Sequence, residues 1–589
     1  MLYKELAELY QSLETSPQRL KKTYILAKFL QKLPNEQIEP TILLLQGLVF
    51  PEWESKKIGI AGKLVAKAIA NSMGHSDLDV LKLFKKTGDL GEVAFQLCQT
   101  KRQQTLFSKN LTLKEVFSTL QNLASHEGIG SQDVKLSHIH KLLGTATPLE
   151  AKFIVRTILE DLRIGISIGT LKDAIAYAYF TDELNYDDKT NNLTHNLKSN
   201  IDITFPEDVP KINYIKELVK KSMDFTADIN KVIQHIKQNK SLQKITLELG
   251  TPCKVMLARK EKSLNEAFQR TGLPCQAEYK YDGFRVQIHK NGKKILLFTR
   301  RLEEVTKQFP GVVKTIQEYI HSDKCILDAE LVGFEPQTGN YLPFQKISQL
   351  IRRKYNIEQM SKDFPVECNV FDILLNENDL LIDRPFSERT KILHEVIIAE
   401  PKKIVFAKGK LIKTEEEAQK FYEESLKAGN EGIMIKDLQG KYTPGGRVTA
   451  WIKFKPIMEE LDLVIVGAEW GEGKRSNWLT SFTLACQNED GELLEIGKVG
   501  TGFKEKGEEG VSFEELTNLL EPLLISEKGK EIKVKPQIVL EIQYEEIQKS
   551  TSYSSGFALR FPRVSRLRPD RYVEDISSIE DVKELYYEQ

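Results

Sequence analysis

Residues Gln276 to His289, reading Gln-Ala-Glu-Tyr-Lys-Tyr-Asp-Gly-Phe-Arg-Val-Gln-Ile-His, constrain this chain more than any other stretch. Phe284, Val286 and Ile288 alternate with Arg285, Gln287 and His289, the period of a strand with one buried and one polar face. Asn291-Gly292 marks a tight hairpin turn, and Ile295 to Phe298 reads as the return strand. Ahead of them, Lys280 sits at a strand edge beside a glycine turn, among Glu278, Asp282 and Arg285. An amine held there, with cations close by to lower its pKa, has what a nucleophilic lysine needs. Taken alone, Lys-x-Asp-Gly is also the look of a charged turn between two strands. The rest of the chain has to supply the partners.

The chain has 589 residues, 41% of them hydrophobic and 29% charged, which suits a globular protein of about three domains. No apolar run is long enough to span a membrane. The opening Met1-Leu-Tyr-Lys-Glu-Leu-Ala-Glu lacks the basic and apolar regions of a signal peptide. Six scattered cysteines without a Cys-x-x-Cys pair argue against a disulfide framework and a structural zinc site, and for a reducing compartment. Lys+Arg and Asp+Glu are both 84, so net charge is zero. A nucleic-acid partner would have to be met by local basic patches rather than by global charge.

Residues 1–235 read as an all-α domain. Leu2, Leu6, Leu9, Tyr10 and Leu13 recur at helical spacing. Thr147-Pro148-Leu149-Glu150 combines an N-cap threonine, proline at the first helical position and glutamate at the third. Further helical runs fall at 57–72, 112–124, 170–180 and 212–238. Two basic runs, Lys216 to Ser222 and Lys231 to Lys244, are either solvated helix faces or DNA contacts. Gln103-Gln-Thr-Leu-Phe107, flanked by Lys101, Arg102 and Lys109, is similar to the glutamine-and-aromatic peptides that dock on sliding clamps. Its plainer reading is a helix end packing Leu106 and Phe107 inward.

Residues 236–456 change to alternating strands and helices, an α+β domain. Ser263 caps a helix through Arg270, and Cys325 to Gly333 is a strand placing Asp328 and Glu330 on one face. Asn369 to Leu375 is another strand, and Trp451-Ile-Lys-Phe-Lys455 puts Trp451, Lys453 and Lys455 on one side. Residues 457–589 carry short strands between glycine turns, the pattern of a small all-β barrel of the OB type. They close on an arginine-rich segment, Arg560 to Arg571. Segments near 236 and 456 are the expected hinges.

In order, the chain offers a turn lysine (Lys280), Arg285, Arg300, a carboxylate strand (Asp328, Glu330), Phe371-Asp372, Glu431 at a glycine turn, and Lys453 with Lys455. Phosphoryl chemistry on a nucleotide uses such a set. Carboxylates hold Mg²⁺, cations neutralise phosphate charge, and an aromatic ring stacks on a base. Six ordered motifs then resemble one family, the ATP-dependent DNA ligases of archaeal and eukaryotic type. They are Lys280-Tyr-Asp-Gly-Phe-Arg285, Leu327-Asp-Ala-Glu330, Val370-Phe-Asp-Ile373, Glu431-Gly-Ile-Met-Ile-Lys436, Trp451-Ile-Lys-Phe-Lys455 and Arg560-Phe-Pro-Arg563. Asp161-Leu-Arg-Ile-Gly165 in the helical domain and Gly473-Lys-Arg475 in the barrel extend the likeness to nearly the whole chain.

The resemblance implies a DNA-binding domain at 1–235, an adenylation domain at 236–456 and an OB-fold domain at 457–589. It implies nick sealing in duplex DNA during replication, repair and recombination, with ATP and Mg²⁺. Lys280 would take AMP onto itself, pass it to the 5′-phosphate at the nick, and leave the 3′-hydroxyl to displace it. Glu278 would meet the adenine amine and Phe371 would stack on the ring. Arg285, Arg300 and Glu330 would position ribose and phosphates, Lys453 and Lys455 would grip the α-phosphate, and Arg447 would lie nearby. Glu330 and Glu431 would hold the metal, and Arg560 to Arg571 would orient pyrophosphate.

The expected protein is a monomer, cytoplasmic with the nucleoid in a prokaryote or nuclear in a eukaryote. RNA ligases and capping guanylyltransferases share the lysine turn but have no need of so large a helical domain. A non-enzymatic DNA- or clamp-binding scaffold would lack catalytic residues. NAD⁺-using ligases carry a four-cysteine zinc module absent from this sequence. Two departures stand out: Val255 precedes Met256-Leu257 where the family usually has proline, and Arg571 stands where lysine is common.

Overall fold

The computed structural model describes residues 1–51, 53–54, 56–100, 110–126, 131–199, 201–238, 242–261, 263–342, 365–455, 460–505 and 511–588. Their contacts form two compact units, residues 1–61 with 105–456, and residues 62–104 with 457–589. No helix among the described residues is long and apolar enough to cross a membrane.

The N-terminal region is helical. Thr147 caps the helix Pro148–Ile158 with its hydroxyl on the Glu150 amide, while Glu150 reaches back, as its sequence predicts. The run expected at 212–238 is two helices, Lys211–Thr226 and Ile229–Lys237. Ala227 turns left-handed at φ 45° between them, and Asp228 caps the second. The expectation of helices alone needs one correction, a hairpin of β1 (Thr181–Asp187) and β2 (Asn192–Leu197). Its residues are mostly exposed, and the alternation is thin, Leu184 with Tyr186 on one strand and Leu193 with Leu197 on the other among polar neighbours, so the signal of a half-buried strand is weak.

Two sheets build the central region. One has the order β11-β4-β12-β13-β3, from β3 (Leu257–Lys260), β4 (Cys275–Lys280), β11 (Gly409–Ile412), β12 (Gly432–Asp437) and β13 (Arg447–Phe454). The other has the order β10-β8-β7-β5-β6. It comprises β5 (Phe284–Asn291), β6 (Lys294–Thr299), β7 (Lys324–Gly333), β8 (Val366–Asn376) and β10 (Ile404–Phe406), with β9 (Asp379–Leu380) paired to β8. Ala277, Tyr279, Ile433, Ile435 and Ile452 pack one face of the first sheet onto Leu264 and Phe421 of its helices. Val286, Ile288, Leu327, Ala329 and Val370 form the core of the second. The remaining faces carry buried polar residues, Glu278, Gln287, Asp328 and Lys436, beside a third apolar cluster that includes Met256, Ile326, Leu374 and Trp451.

The C-terminal region is β-rich. Its seven-stranded sheet contains β14 (Leu461–Trp470), β15 (Leu479–Gln487), β16 (Leu493–Val499), β17 (Leu524–Lys528), β18 (Glu531–Val534), β19 (Val539–Gln543) and β22 (Arg563–Leu567). A hairpin of β20 (Glu546–Lys549) and β21 (Phe557–Arg560) completes it.

Candidate active site

Lys280 ends β4, and β4 does not pair with β5. The stretch around the lysine is therefore no hairpin: residues 281–283 cross from one sheet to the other. Gly283 permits the crossing, since a Cβ there would lie 2.7 Å from both Glu330 Cγ and the Leu331 carbonyl. Lys280 pairs with Gly432 across β4 and β12, and its carbonyl accepts the Glu431 amide at 2.9 Å. The lysine ammonium meets the Glu431 carboxylate in an ion pair.

Strand register explains which expected residues converge. Along β4, Glu278 and Lys280 share a face by the two-residue period. Glu278 lies opposite Met434, and Met434 opposite Lys453. On the second sheet Arg285 lies opposite Glu330, and Gln287 opposite Asp328. Phe371 has its place through an irregularity. Asp328 pairs with Asp372 and Ala329 with Val370, which leaves Phe371 as an extra residue in β8. Such a bulge re-aims a side chain. The ring packs 5.9 Å from Trp451, with the Arg285 guanidinium 5.2 Å from its centre.

Electrostatics sharpen the cluster. Burial pushes the Glu330 carboxyl up to about 8; Lys280 and Arg285 oppose the rise, while Glu431 and Asp282 add to it. Burial works the same way on Glu431, but the Lys280 cation outweighs it and holds that carboxyl below its ordinary range. Lys455 contributes to the same field. Carboxylates crowded in this way fit a divalent cation, which would relieve their repulsion. Among the described residues no group of three or more His, Cys, Asp or Glu forms a metal cage. Two carboxylates completed by substrate phosphates are the usual provision for Mg²⁺.

Other expected residues are placed differently. Glu278 is buried and bonded at 2.5 Å to Lys436, which is 1% exposed and also donates to the Phe371 carbonyl at 3.2 Å. Burial raises the Glu278 carboxyl, and Lys436 pulls it back. Arg300, one residue beyond β6, and Arg447, at the end of β13 remote from Lys453, are both exposed. Arg566 pairs with Glu541 at 2.7 Å, Arg568 with Asp462 at 2.8 Å, and Arg571 with Asp462 at 3.5 Å, so the closing segment holds its own domain together.

Of the basic runs, Lys231 is bonded to Glu248 and Thr251, Lys237 to Leu33 and Asn35, and Lys216 to Tyr177. Lys240, the Lys244 side chain and the whole Gln103–Phe107 segment with its basic flanks lie outside the described residues. A separate cavity of about 520 Å³ opens beside the Asp161–Gly165 stretch, lined by Trp53, Arg163, Gly165, Ser167 and Lys254 among others. It does not include Lys280.

Sequence reading passed over Tyr442, which is 3% exposed and donates to Asp328 Oδ2 at 2.6 Å. Its one signal was a large aromatic residue directly before Thr443-Pro-Gly-Gly446, where a turn usually carries small polar residues.

Three family models match in chain order. DNA ligase N terminus covers residues 2–176, ATP dependent DNA ligase domain 255–455, and ATP dependent DNA ligase C terminal region 475–571. The chain belongs to the ATP-dependent DNA ligase family. The DNA ligase of Nanoarchaeum equitans is 44% identical over 100% of this chain and 98% of its own length. The DNA ligases of Thermococcus onnurineus and Thermococcus fumicolans are 39% and 38% identical, each over 100% of this chain and 98% of theirs. A solved structure described as Pmar-Lig_PreS3 covers 95% of this chain and 99% of its own, with a TM-score of 0.57 at 18% identity, a likeness of fold. This ligase is therefore an enzyme that seals nicks through an adenylate intermediate, with ATP as donor and Mg²⁺ as cofactor.

Proposed function

We propose that Lys280 is the residue that carries the adenylate. The reading rests above all on its ion pair with Glu431 at the meeting of two sheets, with Glu330 and Arg285 on the facing strands. Nζ gives up its proton to a neighbouring carboxylate, Glu431 being in contact. It then attacks the α-phosphorus of ATP, so that a P–N bond forms, the P–O bond to the β-phosphate breaks, and pyrophosphate leaves with the electron pair. Lys453 and Lys455 neutralise charge on the α-phosphate, and Arg285, Arg300 and Glu330 orient ribose and phosphates. Glu278 accepts from the adenine amine, Phe371 stacks on the ring, and Arg447 lies nearby. Glu330 and Glu431 would hold Mg²⁺, which supplies phosphate neutralisation when bound.

The domain limits we assign are 1–235 for DNA binding, 236–456 for adenylation and 457–589 for the OB-type fold. Gln103 to Phe107 is proposed to dock on a homotrimeric sliding clamp, and loss of clamp binding in Phe107→Ala is the expected sign. The ligase is read as a monomer acting in the cytoplasm with the nucleoid.

The test of the central reading is incubation with ATP labelled at the α-phosphate, followed by a chase with nicked DNA. Wild type is expected to acquire covalent AMP and lose it to nicked duplex DNA in preference to nicked duplex RNA. Labelling of Lys280→Ala at the wild-type level sinks the assignment.

A further inference from the structure

Arg285 is held by acceptors that need holding themselves. Its Nη1 donates to the Met256 carbonyl at 2.8 Å and its Nη2 to Asp328 Oδ2 at 2.9 Å. Asp328 is fully buried, and the Tyr442 hydroxyl donates to that same Oδ2 at 2.6 Å. The Tyr442 oxygen in turn accepts the Met256 amide at 3.1 Å and Arg285 Nη2 at 3.4 Å. One hydroxyl thus touches the guanidinium, the carboxylate that fixes it, and the amide of the residue whose carbonyl fixes it. The ring is anchored independently: its edge meets Trp451 at 6.0 Å, and its amide donates to the Ile382 carbonyl at 2.9 Å. A tyrosine that only filled space would not need the hydroxyl, and phenylalanine would serve. Burial, and next the Asp328 anion, hold the phenol well above its ordinary value, so it stays protonated and remains a donor.

The neighbouring backbone adds to this. Val255 stands where the family usually has proline, which would leave the segment before β3 looser. Instead Met256 is pinned at its amide by Tyr442 and at its carbonyl by Arg285, and Leu257 bonds to the Gly446 carbonyl at 2.8 Å. The turn after Tyr442 leads directly into β13, the strand that carries Lys453.

We propose that Tyr442 is a positioning residue for adenylate transfer: its hydroxyl, bridging Asp328 and the Met256 peptide, fixes the Arg285 guanidinium towards the nucleotide. This rests on the reading of Lys280 and Arg285 as the ATP site. The experiment is a double-mutant cycle on the single-turnover rate of Lys280 labelling, using Tyr442→Phe, Arg285→Lys and the pair. Tyr442→Phe is expected to slow labelling about tenfold, the order expected for lost hydrogen bonds to charged groups. In the Arg285→Lys background the same change is expected to cost less than about threefold, because its effect passes through Arg285. Multiplying losses, as two separate structural defects would give, overturn the proposal, as does a wild-type rate in Tyr442→Phe. Should that variant fail to fold, the cycle is repeated with Tyr442→His, which keeps a ring but moves its polar atoms off the Asp328 and Met256 contacts, and the same two outcomes decide. Wild-type labelling at Lys280 checks the parent reading separately.

Discussion

Arg389 is fully buried, and its charge is met by one carboxylate and two carbonyls. Nε and Nη2 each reach Asp372 at 2.8 Å, while Nη1 donates to the Arg384 carbonyl at 2.7 Å and the Gly440 carbonyl at 3.0 Å. Asp372 comes directly after the bulged Phe371, so this pair fixes the strand that presents the ring. Removing one partner of a buried pair strands the other's charge. Arg389→Met is therefore expected to lower stability by about 3–5 kcal/mol, read from urea unfolding. The double change Arg389→Met with Asp372→Leu is expected to recover most of the loss. The sequence marked Phe371-Asp372 as a functional pair, whereas the packing divides the two, one residue lying against Trp451 and Arg285 and one neutralising an arginine. Alternation along β8 could not show this, because the extra residue at 371 resets the parity of the strand beyond it.

The strand β5 buries both of its faces. Its apolar residues Val286 and Ile288 enter the core, as their spacing predicts. Its polar face is no solvent face. Gln287 is fully buried and accepts the Cys253 amide at 3.0 Å, while His289 Nδ1 accepts the Gly250 amide at 3.1 Å and its Nε2 lies 2.9 Å from Gln287. These bonds fasten the segment Gly250–Cys253 over the strand. Burial pushes the His289 imidazole down to about 3, against an ordinary value near 6.5 in the unfolded chain. The folded value is depressed, so this contribution to stability is complete above about pH 6.5 and is lost as pH falls towards about 3. At about pH 5 the loss from this group is about 2 kcal/mol. His289→Gln is expected to flatten the change in urea midpoint between pH 7 and pH 5; an unchanged pH dependence would show that the imidazole is not responsible. Alternation identified the two faces of β5 but not what covers the second, since a strand's period reports its environment and not the identity of its neighbour.

For the whole molecule, zero net charge at 84 cations against 84 anions does not leave the cations idle. Many are used internally, as in Arg566 with Glu541 and Arg568 with Asp462, so DNA must be met by local groups. Chelation of Mg²⁺ with EDTA is expected to abolish labelling by ATP, because Glu330 and Glu431 would hold the ion that neutralises the phosphates. Persistent labelling without divalent cation would count against Glu330 and Glu431 as its ligands.

By itself the sequence determined the three regions in order, the caps at Thr147 and Ser263, the β5–β6 hairpin at Asn291-Gly292, and the motif residues of the ligase family. All of these are local signals written within a few consecutive residues. Only the tertiary structure decided that β4 and β5 lie in different sheets with Lys280 where they part. The same holds for the bulge that turns Phe371 towards Trp451 and Arg285, and for the tie of Tyr442, 157 positions away in the chain, to Arg285. Those arrangements depend on which strands pair and in what register, and pairing energy is shared between segments that are remote in sequence and carry no local mark of each other.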